Sequence, residues 1–173
     1  DEIIGQDHFP DGSLKLVTWI PHYICGVKNT ITWKYESDAE LFSLICWVKH
    51  IRRHYPDLPL YLNMPYLPHA RMDREKEYGD VFTLKYFAEV INSLQFASVS
   101  ILDPHSNVGP ALLNNVRVLS PYSEIMHAIT DIHAVDLALF YPDEGSCKRY
   151  AGLFNYPYLF GVKRRDWNTG EIT

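Results

Sequence analysis

The stretch VFTLKYFAEVINSLQFASVSIL, residues 81–102, predicts a helix followed directly by a strand. Over residues 81–94 the apolar side chains recur at intervals of three and four, which places them on one face of a helix. These positions are Leu84, Phe87, Ala88, Ile91 and Leu94. The segment from Ala97 to Leu102 has the length of a strand. A helix that leads into such a strand is typical of α/β domains.

The same alternation continues on both sides of this stretch. Upstream, Ser37-Asp38-Ala39-Glu40 has the pattern of a capping box and predicts a helix to about Arg53, which a strand at 60–64 follows. Downstream, the pattern predicts strands at 116–119, 135–141 and 158–162 and helices at 123–132 and 148–154. Helices of this length act as crossovers between parallel strands, so the predicted fold class is α/β with a parallel sheet.

Composition limits the functional class and the cellular location that we expect for the protein. The formal net charge of −5 lacks the basic excess of nucleic-acid-binding domains, so we expect no nucleic-acid partner. No apolar run reaches the roughly 18 residues of a membrane-spanning helix, and the first residues lack the features of a signal peptide. The spacing of Cys25, Cys46 and Cys147 indicates reduced thiols rather than a disulfide framework. We therefore expect a cytoplasmic protein without a membrane partner.

Polar side chains follow three of the predicted strands at the points where those strands end. The three segments are residues 69–74, 103–105 and 142–146. In open α/β sheets, ligands bind beyond the carboxyl ends of the strands. If all three strands are parallel neighbours, Arg71, His105 and Asp143 share a pocket at one edge of the sheet.

The residue types in these segments suit a metal-bound polyphosphate. The imidazole of His105 and the carboxylates of these segments can hold Mg²⁺ directly or through its waters. The carboxylates are those of Asp73, Asp103, Asp143 and Glu144. The guanidinium groups of Arg71 and Arg74 can grip phosphate oxygens in bidentate fashion. The sequence contains neither Gly-x-x-x-x-Gly-Lys-Ser/Thr nor Gly-x-Gly-x-x-Gly, which excludes the standard phosphate-binding loops for ATP and NAD.

The segment from Gly161 to Asp166 adds a further group of cations. Strand alternation puts Lys163 and Arg165 on one face and Arg164 on the other. Two cations side by side can neutralise the charge that develops on a transferred phosphoryl group. Residues 167–171 have the turn residues of a hairpin, so we expect these cations on a flap.

Five short motifs, in the same order along the chain, resemble those of the ribose-phosphate pyrophosphokinases. Residues 68–74, Pro-His-Ala-Arg-Met-Asp-Arg, resemble the family's Tyr-Ala-Arg-Gln-Asp-Arg segment. Residues 9–13 resemble its Phe-x-Asp-Gly-Glu, residues 103–106 its Asp-Leu-His-Ala, residues 142–146 its Pro-Asp-x-Gly-Gly and residues 163–165 its Lys-Arg-Arg. The resemblance implies type I phosphoribosyltransferase-like domains: an ATP-binding domain at 1–121 and the first part of a second, incomplete domain at 122–173.

The resemblance also implies a reaction and roles for residues. The family transfers pyrophosphate from ATP to ribose 5-phosphate with Mg²⁺, gives 5-phosphoribosyl 1-pyrophosphate and AMP, and forms homo-oligomers, either dimers or hexamers. The implied nucleotide-binding residues are Phe9, Asp11, Arg71, Met72, Asp73 and Arg74, of which the first two reach a nucleotide on a neighbouring subunit. His105 and Asp143 would hold Mg²⁺, and Lys163 and Arg165 would be the catalytic cations that stabilise the transition state.

The sequence departs from the family at several positions. Ser13 stands where the family has Glu, and Met72 where it has Gln. The family's Asp-Asp-x-x-x-Thr-Gly-Gly-Thr loop, which binds the 5-phosphate of ribose, does not occur in the sequence. The enzyme prediction therefore depends on the full-length chain supplying that loop. Two alternatives stay open: a non-catalytic nucleotide-binding or regulatory member of the family, and a phosphoribosyltransferase that consumes phosphoribosyl pyrophosphate.

Each candidate residue also has a simpler structural interpretation. Residues 71–74 are also typical of a solvated loop with a surface ion pair. His105 can cap a backbone group near a strand end, and Asp143 can cap the helix that follows it. Residues 163–165 can form a basic edge that deters strand pairing.

Overall fold

The computed structural model describes residues 4–18, 29–133 and 136–162. The chain divides into two compact units, Asp1–Ser120 and Pro121–Thr173. The assignment of 1–121 to an ATP-binding domain and of 122–173 to an incomplete second domain stays a prediction. None of the helices in the described residues is both long and apolar enough to cross a membrane.

The first unit contains a hairpin and a four-stranded parallel sheet. The hairpin strands, which pair antiparallel, are β1 (Ile4–His8) and β2 (Leu14–Thr18). The sheet strands, given in their spatial order, are β3 (Asn29–Thr32), β4 (Leu60–Met64), β5 (Ser98–Leu102) and β6 (Val116–Leu119). The helices described in this unit are α1 (Ala39–His54), α2 (Thr83–Ser93) and α3 (Val108–Leu112).

The core of the first unit forms around β4. Alternate residues of β4 are buried, as expected of a strand with a deeply covered face: Leu60, Leu62 and Met64. The helix α2 buries the face that its apolar spacing predicts, namely Leu84, Phe87, Ala88 and Ile91. Burying one large aliphatic side chain stabilises the fold by about 1.5–3 kcal/mol, so this face is what holds α2 on the sheet.

The second unit is a shorter alternation of helices and strands. Its described elements are α4 (Tyr122–Asp131), β7 (Leu139–Tyr141), α5 (Glu144–Tyr150), a 3₁₀ turn (Ala151–Leu153) and β8 (Tyr158–Phe160). The strands β7 and β8 pair in parallel, with Leu139 opposite Tyr158. Parallel strands connected by helices in both units confirm the predicted α/β class.

The predicted boundaries are accurate where a strong apolar pattern sets them. The strands predicted at 60–64 and 116–119 have those bounds in the structure, and α1 and α2 lie within two residues of their predicted ends. The helix predicted at 148–154 was wrong at its start, because α5 begins at Glu144 with Asp143 as its cap. A side-chain cap, not apolar spacing, sets that boundary.

The expectation that three neighbouring parallel strands bring their loops to one sheet edge was wrong for the third strand. The strands β4 and β5 are neighbours in the four-stranded sheet, but β7 pairs with β8 in a separate two-stranded sheet of the second unit. The residues Arg71 and His105 therefore follow adjacent strands of one sheet, and Asp143 does not.

Gly161 lies where the backbone of the second unit is closely packed. Its N–H donates to the carbonyl of Tyr141 at 2.9 Å, and a Cβ at this position would lie 2.7 Å from the carbonyl oxygen of Pro142. Because that oxygen belongs to the backbone, the strands must shift to make room. We expect Gly161→Ala to lower the free energy of unfolding by about 1–3 kcal/mol, measured by urea denaturation.

Gly152→Ala is the matched control in the same unit. A Cβ at Gly152 would meet no atom within 4 Å, so we expect a change of less than about 0.5 kcal/mol. Equal stability of the two variants would contradict the close approach of Gly161 to Pro142.

Candidate functional site

The loop after β4, residues 65–82, is called the β4 loop, and His69 anchors it. His69 has φ 60°, in the left-handed region that non-glycine residues seldom occupy, and its carbonyl accepts the N–H of Met72 at 2.9 Å. Its Nε2 lies 2.9 Å from Oδ1 of Asp38, the cap residue of α1. Its ring centroid lies 5.4 Å from that of Phe87 in α2. The turn is therefore tied to both helices.

The anchored turn exposes some of the predicted nucleotide-binding residues and encloses another. Arg71 is exposed, and Met72 is 39% exposed. Asp73 is only 5% exposed, and its Oδ1 accepts a hydrogen bond from Nε of Arg74 at 2.9 Å. Arg71 and Met72 are therefore accessible to a ligand, whereas Asp73 is enclosed and Arg74 pairs with it.

The loop after β5, residues 103–107, is called the β5 loop, and it begins with a strained residue. Asp103 has φ 44°, and its N–H donates to the carbonyl of Leu119 at the end of β6 at 3.0 Å. His105 is exposed, and the hydroxyl of Ser106 accepts the N–H of Val108 at 3.3 Å at the start of α3. Strained backbone of this kind concentrates at functional sites, which agrees with the prediction that this segment takes part in ligand binding.

The β4 and β5 loops meet at Asp73. The Arg74 side chain, which hydrogen-bonds to the Asp73 carboxyl, is the largest influence holding its pKa below the usual value, and the Ser106 side chain lowers it further. Burial acts in the opposite direction, and the charge of His105 adds a smaller lowering effect. Residues of both loops therefore act on one carboxylate, and two of the three predicted segments come together.

A second contact joins the β4 loop to the helix that follows the β5 loop. Gly109 in α3 is buried against Leu67 of the β4 loop, and a Cβ at Gly109 would overlap Cδ2 of Leu67. A Cβ at Gly109 would force the Leu67 side chain to move, so a residue without a side chain suits this close approach. This contact holds α3 directly on the β4 loop.

Asp143 caps α5 in the second unit. Its Oδ1 accepts the N–H of Ser146 at 2.7 Å, and the Ser146 hydroxyl accepts the N–H of Asp143 at 3.2 Å, which completes a capping box. Residues 143–145 also line a cavity of about 320 Å³ with Phe160 and Val162. A carboxylate has several acceptor positions, so the cap does not prevent Asp143 from binding a ligand as well.

The donor residues fit magnesium in type but do not form a preformed cage. In the part of the chain that the structure describes, no group of three or more His, Cys, Asp or Glu side chains is placed to hold a metal ion. Mg²⁺ usually keeps several waters and binds through one or two carboxylates together with substrate phosphates. Asp103 and His105 in the first unit, and Asp143 in the second, are therefore each of a donor type that suits an ion arriving with a nucleotide better than a resident structural ion.

The hairpin places Phe9 and Asp11 at its tip. The Phe9 ring is 49% exposed, with Nζ of Lys15 at 5.9 Å from its centroid. Oδ1 of Asp11 accepts the hydroxyl of Ser13 at 2.7 Å and the Ser13 N–H at 2.9 Å, and these hydrogen bonds lower the pKa of Asp11. The aromatic face is accessible, whereas the carboxylate is already engaged within the turn.

The remaining predicted site residues, Lys163 and Arg165, lie outside the described residues, as does the hairpin predicted at 167–171. No individual role in the site was predicted for Asp38, His69 or Ser106, which entered only as members of longer patterns. The contact between Asp38 and His69 joins residues 31 positions apart, so no local pattern predicts it. The position of Ser106, directly after the Asp-Pro-His triplet, was the one available signal for its part in the site.

No protein-family model matches the chain. Among curated proteins, a ribose-phosphate pyrophosphokinase of Saccharolobus solfataricus is 26% identical over 173 residues, an alignment that covers 95% of this chain and 57% of the relative. A second ribose-phosphate pyrophosphokinase, from Sulfurisphaera tokodaii, is 26% identical over 113 residues, covering 63% of this chain and 38% of the relative. The chain therefore spans about half the length of the Saccharolobus relative and a smaller part of the Sulfurisphaera relative.

A solved structure shares the fold. The crystal structure of phosphoribosylpyrophosphate synthetase from Mycobacterium smegmatis superposes with a TM-score of 0.75 at 15% identity, covering 94% of this chain and 56% of that one. This likeness shows a phosphoribosyltransferase-like α/β fold. Together with the two curated relatives, it supports the assignment of this chain, over the part of the family's length that it spans, to the ribose-phosphate pyrophosphokinase family.

Proposed function

We propose that the protein containing this chain transfers diphosphate from ATP to ribose 5-phosphate and releases AMP. The observation that carries the proposal is the meeting of the β4 and β5 loops at Asp73, which sets the Arg71 segment beside the His105 segment. These are the two segments that resemble the family's nucleotide and metal motifs. The proposal concerns the whole protein, because the chain spans about half the length of the relative with the longer alignment.

Arg71 and Met72 are the proposed nucleotide contacts of the first unit. Both side chains are exposed on a loop that His69 anchors to α1 and α2. A guanidinium group on a fixed loop can form paired hydrogen bonds with phosphate oxygens. The flexible apolar side chain of Met72 can pack on the face of a base, where the family's Gln would donate a hydrogen bond.

His105 and Asp143 are the proposed residues that hold Mg²⁺. The ion, when bound with the triphosphate, neutralises phosphate charge and polarises the group that is transferred. His105 is exposed, and Asp143 lines a cavity of the second unit. Asp103 is a further candidate because it begins the β5 loop with an oxygen donor.

The proposed chemical step is a displacement at the β-phosphorus of ATP. The C1 hydroxyl oxygen of ribose 5-phosphate bonds to that phosphorus, the bond to the α–β bridging oxygen breaks, the hydroxyl proton is lost, and AMP leaves. Lys163 and Arg165 are proposed to neutralise the charge of the transferred group. The family's loop for the 5-phosphate of ribose does not occur in this sequence, so residues elsewhere must bind that phosphate.

The second candidate is a non-catalytic member of the family that binds nucleotide or has a regulatory role. The hairpin favours it, because Ser13 takes the place of the family's Glu and its hydroxyl occupies the Asp11 carboxylate at 2.7 Å. Phe9 and Asp11 are proposed to reach a nucleotide on a neighbouring subunit, and an engaged Asp11 weakens that contact. A homo-oligomer is part of both candidates.

A coupled assay of the full-length protein distinguishes these functions. With ATP, Mg²⁺ and ribose 5-phosphate all present, we expect AMP release that stops when any one of them is omitted. Binding of ATP without AMP release would contradict the enzyme proposal and favour the second candidate. Release of pyrophosphate from phosphoribosyl pyrophosphate and a free base would indicate a phosphoribosyltransferase instead.

Arg71→Ala tests the proposed phosphate contact. A charge-assisted hydrogen bond contributes about 1.5–3 kcal/mol, so we expect the affinity for ATP to fall roughly tenfold to a hundredfold. Isothermal titration calorimetry measures this loss. Arg71→Lys should bind with intermediate affinity, because lysine keeps the charge but not the paired geometry.

Arg53→Ala is the matched control, since Arg53 is an exposed arginine in the last turn of α1. The helix α1 connects two parallel strands, so its last turn lies toward the opposite edge of the sheet from the β4 loop. We expect ATP affinity close to that of the original protein. Equal losses in the Arg71 and Arg53 variants would indicate only a general charge effect.

A further inference from the structure

The geometry points to Asp73 as a positioning residue that joins the nucleotide-binding and metal-binding loops, rather than as a nucleotide contact. The inference rests on the proposed function and names a role within that same site. Its motif gives Asp73 a place among nucleotide-binding residues, but its neighbours Arg71 and Met72 are exposed and Asp73 is not.

The burial of Asp73 argues against a direct ligand contact. Its side chain is 4% exposed, whereas that of its partner Arg74 is 66% exposed. Moving a carboxylate out of water is costly unless hydrogen bonds or opposite charges compensate for it. Arg74 compensates this carboxylate at Oδ1, so the charge is already engaged within the protein.

The two oxygens of Asp73 have different environments. Oδ1 accepts from Nε of Arg74 at 2.9 Å. Oδ2 is buried, and it has no hydrogen-bond partner among the residues that the structure describes. Buried polar atoms are nearly always hydrogen-bonded in folded proteins, so a donor to Oδ2 is expected among the groups around it.

The partner we assign lies in the β5 loop. The Ser106 side chain and the charge of His105 both act on the Asp73 carboxyl. A histidine that binds a metal through one ring nitrogen usually donates its other ring N–H to a carboxylate or carbonyl, which fixes the orientation of the ring. Oδ2 of Asp73 is such an acceptor, and it would orient His105 when the magnesium–nucleotide complex binds.

Among the contacts that fix the β4 loop, that of Asp73 lies closest in sequence to the exposed side chains of Arg71 and Met72. The other ties of the β4 loop, His69 to Asp38 and Leu67 to Gly109, hold its earlier part. Asp73 lies two residues after Arg71 and acts across to Ser106 and His105. One buried group therefore sets the position of the phosphate-binding guanidinium and of the metal-binding imidazole together.

Asp73→Asn in the full chain tests this role, because it keeps the shape and removes the charge. The first readout is amide hydrogen exchange of the ligand-free protein, in which we expect faster exchange in both the β4 loop and the β5 loop. The second is Mn²⁺ affinity in the presence of a non-hydrolysable ATP analogue, which we expect to fall roughly tenfold to a hundredfold, as for other residues that orient metal ligands.

Glu75→Gln is the matched control, since Glu75 is an exposed carboxylate on the same loop. It should leave both readouts unchanged. Faster exchange confined to the β4 loop, or an unchanged Mn²⁺ affinity, would overturn the positioning role. A loss of nucleotide affinity with full Mn²⁺ affinity would instead return Asp73 to the nucleotide contacts.

Two further variants distinguish a loss of positioning from a folding defect in Asp73→Asn. Ser106→Ala removes one of the two β5-loop side chains that act on the Asp73 carboxyl and keeps the Asp73 charge, and we expect a smaller loss of Mn²⁺ affinity in the same direction. In a double-mutant cycle, Asp73→Asn and His105→Ala should cause losses that are less than additive, because both act through one imidazole. Additive losses would overturn the coupling.

The failure of this inference is distinguishable from failure of the proposed function. If the original protein binds neither ATP nor Mn²⁺, the proposed function fails. The exchange measurement, which uses no ligand, then decides alone whether Asp73 joins the two loops.

Discussion

The parallel pairing of β4 with β5 is the constraint on which the candidate site depends. Met64 at the end of β4 lies opposite Ile101, so the two strands end at nearly the same level and their loops emerge side by side. The ties through Asp73 and through Gly109 act on loops that this register has already made neighbours. Without this strand register, the motifs in the two loops would not lie next to each other in the folded chain.

The local elements could be predicted from sequence because apolar spacing sets them. The periodicity of α2 identified the face that is buried, and the run at 60–64 identified β4 without error. Apolar spacing placed the start of α5 too late, and only the simpler interpretation of Asp143 as a helix cap indicated the start that the Asp143–Ser146 capping box sets. The Asp-Gly pair at 11–12 was an available signal for the β1–β2 hairpin.

The tertiary arrangement of the site was only partly predictable. Adjacent loops follow from adjacent strands, and that part of the expectation agrees with β4 and β5. The pairing of β7 with β8, the contact of His69 with Asp38 and the burial of Asp73 join residues through space, and no local pattern encodes them. The motif predicted the same role for all of residues 71–74. In the structure, Asp73 is buried and the other three residues are exposed.

The proposed function requires the β4 and β5 loops to form one site for a metal–nucleotide complex. Paramagnetic relaxation by Mn²⁺-ATP, observed on the backbone amides of the labelled protein, tests it most directly. We expect the amides of residues 71–74 and of the β5 loop to broaden together on addition of Mn²⁺-ATP, and to recover when Mg²⁺ displaces the Mn²⁺. Broadening in only one loop, or in neither, would contradict it.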